Sequence, residues 1–196
     1  LISEFNKNNN KTKIIELMNN SIIFYFILGS IISIILYSYP SYLLSFLIPK
    51  QSIFITYSTR YLQIKSIMLP VMLVNSVIYS VLKGLVDFKS ATQYNIKSQI
   101  IKIVLETVFI NFMGINGEAF SSIISELYCL YGYIKILKKK QMIIYNNNNF
   151  FKNLYLLLRN GIFIQIRSII SNFNYYYINK QISFIDYNGI ITPSHI

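Results

Sequence analysis

The chain has 196 residues, 54% hydrophobic and 13% charged, with a mean hydropathy of +0.46 and a formal net charge of +11. A soluble domain carries charge on roughly a quarter of its residues, so this composition points to hydrocarbon rather than water as the solvent. The basic residues fall between apolar runs instead of gathering on one solvated face, which argues against a nucleic-acid surface, and the single Cys129 leaves no disulfide framework.

Residues 1–16 are polar, with Lys7, Lys11 and Lys13 around an asparagine run, and no cleavable leader is visible. The chain opens and closes abruptly without an initiator Met, which leads to the expectation of a fragment. Residues 17–49 hold no charge. A spanning helix needs about 20 residues, so a first span is predicted over 13–39. It should end at Pro40, which pushes its predecessor out of helical geometry. Residues 41–48 read as a short interfacial helix. A second span is predicted over 60–83 with Pro70 inside it. Such a proline costs ~3 kcal/mol in a soluble helix interior but is tolerated where neighbouring helices satisfy the freed carbonyl.

A polar connection from Lys83 to Ser90 leads to a third span, 92–113. The tight turn Gly114-Ile115-Asn116-Gly117 then leads to a fourth, 118–137. These two form an apolar hairpin carrying Lys102, Glu106 and Glu126, and carboxylates in such helices need a partner, a cavity or a task. After the lysine cluster at 135–140, residues 141–152 read as an Asn-rich linker, and a fifth span is predicted over 153–179, broken by Arg159 and Arg167. Period-2 alternation is absent, which excludes a membrane barrel. The expected fold class is therefore all-α, a polytopic membrane helix bundle. Lys7, Lys11, Lys13, Lys83, Lys89, Lys97, Lys135, Lys138, Lys139, Lys140 and Lys152 fall on one side of these spans. Only Lys50, Arg60 and Lys180 fall on the other. The positive-inside rule places the richer side in the cytoplasm or its organellar equivalent.

With the spans placed, the segments between them look familiar. Tyr61-Leu62-Gln63-Ile64-Lys65, Leu69-Pro70 and Lys83-Gly84-Leu85-Val86-Asp87 resemble the fourth helix and following loop of the multidrug and toxic compound extrusion (MATE) family. Ile103-Val104-Leu105-Glu106 is similar to that family's fifth helix, which has an aspartate where this chain has Glu106. Gly114 to Ala119, followed by Ser125-Glu126, looks like the glycine-rich entry to the sixth helix, most like the DinF-type branch. Arg159, Gly161 and Arg167 fit the start of the seventh. The resemblance implies a twelve-helix protein of two lobes that exchanges a proton or sodium ion for an organic solute by alternating access, with no other cofactor. Residues 1–140 would be a partial N-terminal lobe, and 153–196 the start of the C-terminal lobe. The chain would thus hold most of one six-helix lobe and the first helix of the second. Three positions depart from the pattern: Lys102 replaces the family's asparagine, and Ala91 and the stretch around Ile162 replace prolines.

Several residues are candidates for function. Glu106 would be the coupling carboxylate, or else a fixed ion-pair partner of Lys102 one helical turn away. Ser122 approximates a family threonine lining the lobe cavity. Glu126 is a further coupling candidate, although a bond to a serine or tyrosine on a neighbouring helix is the simpler expectation. Arg167 would contact an anionic solute or the other lobe, or snorkel. Pro70, Gly84 and Asp87 are candidates for helix bending and gating, with Asp87 also suited to capping the next helix. Tyr175, Tyr176 and Tyr177 read as an interfacial aromatic belt. The lysines at 138–140 set topology first and meet anionic lipid second.

The leading expectation is a cation-coupled antiporter of organic solutes. A lipid-linked-glycan flippase of the same superfamily and a non-transporting remnant are the alternatives. An enzyme would need a nucleophile or metal cluster, and one His, one Cys and no acidic pair at ligand spacing supply neither. The expected partners are membrane lipid, a small organic solute and the remaining helices of the full-length transporter, without nucleic acid. The expected location is the plasma membrane or a plastid-like organelle membrane.

Overall fold

A computed structural model describes residues 10–45, 54–85 and 88–142, together with Phe150 and Tyr155. The chain divides into two units, 1–150 and 151–196. The second is described only at Tyr155, so Arg159, Arg167, the tyrosine run and the fifth predicted span lie outside the described residues, as does Asp87.

Every regular element described in the first unit is a helix: α1 Lys11–Ser38, α2 Pro40–Leu44, α3 Phe54–Ser66, α4 Leu69–Gly84, α5 Phe88–Met113 and α6 Ile115–Lys139. This all-α bundle is built from two antiparallel pairs, α1 on α4 and α5 on α6, with α3 and α4 both packing on α6. α1 stops where Pro40 requires it to. Tyr39 leaves helical geometry, its N–H still bonds Ile35 O at 3.0 Å, and Pro40 opens α2 at a position where a missing N–H costs nothing.

The segment expected as one span over 60–83 is two helices bent by 51° at Ile67 and Met68. Pro70 sits in the first turn of α4, where its ring is compatible with a helix but its missing N–H interrupts the ladder arriving from α3. Met68 N–H turns back to Lys65 O at 3.2 Å, and Ser66 Oγ donates to Gln63 O at 2.7 Å. α1 fits against this corner through Gly29, where a Cβ would lie 2.8 Å from the Pro70 Cα. The hairpin turn is narrower than expected. Gly114 alone, at φ +58°, reverses the chain, while Ile115, Asn116 and Gly117 already belong to α6. A positive φ at one glycine suffices because only glycine adopts it freely.

An apolar core closes one end of the bundle, with Ile14, Met18, Ile78, Leu82, Tyr133 and Leu137 among its members. Away from that end the usual distribution is inverted. α5 buries only Ala91 and Ser98, yet exposes Ile96, Ile100, Ile103, Val104, Val108, Ile110 and Phe112. The first half of α6 buries Gly117, Ala119, Ser121, Ser122 and Ser125 while exposing Phe120, Ile124 and Leu127.

Among the described residues α1 alone is long and apolar enough to cross a membrane as a single helix, and α3 with α4 is long and apolar enough for one bent crossing. α5 and α6 are long enough for a crossing. Both carry charge along their length: Lys97, Lys102 and Glu106 in α5, and Glu118 and Glu126 in α6.

Candidate functional site

Two polar groupings lie between α3–α4 and the α5–α6 hairpin. The first centres on Glu118, in the first turn of α6. Tyr61 OH donates to its Oε2, and Lys65 Nζ donates to both carboxylate oxygens at 3.2 Å and to the Tyr61 oxygen. From α5, Lys102 Nζ lies 2.9 Å from Oε1, and Ser122 Oγ donates to the same oxygen at 2.9 Å. Local geometry assembles it: Tyr61 with Lys65, and Glu118 with Ser122, are each four residues apart and so share a helix face.

An ionised carboxylate offers roughly four acceptor sites, and these donors from three helices occupy them. The cluster is half-closed, with Lys102 28% and Glu118 17% exposed. Its formal charge is +1, because two ammonium groups face one carboxylate.

The second grouping is deeper along α6. Asn75 of α4 donates through Nδ2 to Glu126 Oε2 at 2.7 Å and to the Glu126 backbone oxygen at 3.0 Å. Asn75 is only 6% exposed, and its Oδ1 has no hydrogen-bond partner among the described residues. Both residues line a cavity of about 250 Å³ between α4, α5 and α6, with Tyr79, Asn95, Ser98 and Tyr133 among its other walls. Tyr79 and Tyr133 stand with ring centroids 6.4 Å apart. The site thus combines one carboxylate, an open amide oxygen and aromatic faces, a chemistry suited to a polar organic molecule with cationic or donor groups.

Of the residues anticipated from sequence, Lys102 and Ser122 meet on Glu118. Lys102 does not pair with Glu106, which corrects the fixed pair that their spacing suggested. Glu106 lies partly exposed on α5, and no ion pair to it is found among the described residues. Glu126 bonds a neighbouring helix as the simpler expectation held, but its partner is an asparagine rather than a serine or tyrosine. Pro70 sits at the α3–α4 corner, Gly84 is the last residue of α4, and Asp87 and Arg167 lie outside the described residues.

Sequence reasoning missed Glu118, Tyr61, Lys65 and Asn75 as site residues. The four-residue spacings were available for the first three; the convergence of three helices was not.

A family model, MatE, matches residues 1–108, from the N-terminus through α5 as far as Glu106 and beyond. A comparison with curated proteins finds no match, and neither does one with solved structures. The match takes in more than half of the chain, and the chain belongs to the MatE family, whose members are transporters and not enzymes.

Proposed function

We propose that the protein is a secondary active transporter that crosses its membrane several times and exchanges a proton or sodium ion for an organic solute by alternating access. The inverted distribution of side chains supports the several crossings. Water-soluble proteins rarely expose apolar patches beyond a few hundred Å², whereas helices packed in lipid turn small and hydroxylated residues towards each other and apolar ones outwards. α5 and the first half of α6 do this along most of their length.

The observation that carries ion coupling is the position of Lys102. Its ammonium is engaged by Glu118 at 2.9 Å, which leaves Glu106, one turn further along α5, free to take an ion of its own. Intramembrane carboxylates of this kind are functional by default. Lys102 can also reach Glu106 by rotation of its own side chain, because i and i+4 positions are neighbours. Partner exchange between Glu118 and Glu106 would then expel a bound ion from Glu106 as the helices rearrange. α3 is placed to move with that exchange, since Lys65 and Tyr61 join it to the same carboxylate just before the 51° corner. The solute would occupy the cavity beside Glu126 and Asn75.

A lipid-linked-glycan flippase asks for free cationic groups along a groove, and Lys65 and Lys102 are both committed to Glu118. That reading draws less support, and the DinF-type branch rests on the sequence resemblance alone. The test is proton- or sodium-driven solute uptake by the full-length protein in vesicles. Glu106→Gln should abolish dependence on the ion gradient while leaving solute binding, measured without a gradient, within about twofold. Undiminished coupling in that variant would remove Glu106 from the mechanism.

A further inference from the structure

A second cavity has a different character. It lies on the other flank of α4, between α1, α4 and α6, and has a volume of about 510 Å³. Met18, Val74 and Ile78 are buried and form its floor, while Phe26 and Ile134 are partly open and form its rim. Its charged group is Lys138, at the C-terminal end of the stretch that α6 contributes. From Leu130 to Lys138 that stretch is about 12 Å long at 1.5 Å per residue.

We propose that this groove is a binding site for an anionic phospholipid, with one acyl chain lying along α6 and the phosphate meeting Lys138. The charge pattern argues for this occupant. A phospholipid is a long apolar tail with an anion at one end, and the groove is an apolar trough with a cation at one end. Lys138 is exposed and pairs with no carboxylate among the described residues. A protein helix laid over the trough would instead have to bury the Lys138 ammonium, which is costly without a partner. This assignment turns a general preference of a lysine cluster for anionic lipid into one seat with a defined tail and head.

The proposal rests on the membrane-spanning reading, and its test separates the two. The full chain is reconstituted in phosphatidylcholine vesicles with or without phosphatidylglycerol. It is floated on a density gradient, then extracted into detergent for native mass spectrometry of retained lipid. A chain that does not float with the vesicles refutes the membrane reading. A floating chain should retain phosphatidylglycerol in preference to phosphatidylcholine. Lys138→Gln should lower that retention about fivefold, the worth of one lysine near an anionic surface, whereas Lys139→Gln, off the groove, should change it by less than twofold. Ile134→Trp, which fills the trough, should abolish it. Equal losses for the two lysine variants would overturn the site in favour of diffuse attraction, and full retention by Ile134→Trp would overturn it outright. To separate a filled groove from a misfolded chain, Ile134→Cys in a Cys129→Ser background is exposed to a bilayer-soluble maleimide. Labelling supports a groove open to lipid, and protection by another part of the protein overturns the proposal.

Discussion

The Glu118 cluster makes a prediction whose sign, as well as size, can be checked. The Lys102–Glu118 pair, 28% and 17% exposed, lies between two limits. Exposed pairs contribute about 0.2–1 kcal/mol, and breaking a buried pair costs about 3–5 kcal/mol. Lys102→Met leaves Glu118 with Lys65, Tyr61 and Ser122, so the expected loss is about 1 kcal/mol, and Lys65→Met should cost about the same. The double substitution leaves a half-buried carboxylate with two hydroxyl donors and no cation. Its cost should reach about 3 kcal/mol, above the sum of the two.

Glu118→Gln reverses the logic. Two ammonium groups then face each other across a neutral amide, and removing either lysine from that background relieves repulsion. The effect of Lys102→Met should therefore change from destabilising to neutral or stabilising. The chain has no Trp, so reversible unfolding in mixed micelles is best followed by helical circular dichroism across the double-mutant cycle. Lysine removal that costs the same with and without the Glu118 carboxylate would refute the cluster as the tie between α3, α5 and α6.

Three further outcomes are expected. Asn75→Ala should destabilise the bundle by about 2 kcal/mol, because it removes a donor to a charged acceptor, whereas Glu126→Gln, which keeps an acceptor for Asn75 Nδ2, should cost less than half of that in the same unfolding assay. Gly29→Val should cost about 1–3 kcal/mol, since its Cβ would meet Pro70 backbone at 2.8 Å rather than a side chain able to turn away; a neutral result would show that α1 does not seat at the corner. Tags inserted after Asn10 and Gln141 should report the same face of the membrane, because in the proposed topology α1, the bent α3–α4 pair, α5 and α6 would make an even number of crossings between them; opposite faces, or release of the chain by alkaline carbonate, would remove the topology.

The sequence was most legible where a single residue type dictates backbone geometry. Pro40 ends α1 where expected, and Gly114 reverses the hairpin, because a missing N–H and a positive φ leave the chain few alternatives. Precision fell where neighbours decide. α3 begins at Phe54 rather than 60, and α5 begins at Phe88, so that Lys89 and Ser90 are helical instead of a connection. Pro70 announced a bend, but the bend lies at Ile67 and Met68, where the ladder loses continuity before the ring, and Gly29 on another helix shapes the corner.

The candidate site was legible only in parts. Lys102 has Glu106 within reach along its own helix, and spacing alone selects that partner. Its actual partner comes from α6, in the company of Lys65 and Tyr61 from α3, and such a choice is made by tertiary packing. Asn75 carried no local mark at all, since an asparagine in an apolar helix acquires meaning only when a carboxylate such as Glu126 packs opposite it.

The placement of charge links the fold to the transport chemistry. In a bilayer a lysine and a carboxylate on neighbouring turns of one helix can neutralise each other and stay inert. Here the helix hairpin sends the lysine of α5 to the carboxylate of α6, and the cluster it joins carries a formal +1. On the proposed exchange, Lys102 would disfavour sodium at Glu106 while it faces that carboxylate, and an ion could enter there while Lys102 is held at Glu118. In the proposed mechanism the same tie that joins α3 to the hairpin would decide when Glu106 is open. Rearrangement of α3 about its corner is the motion that would couple the two.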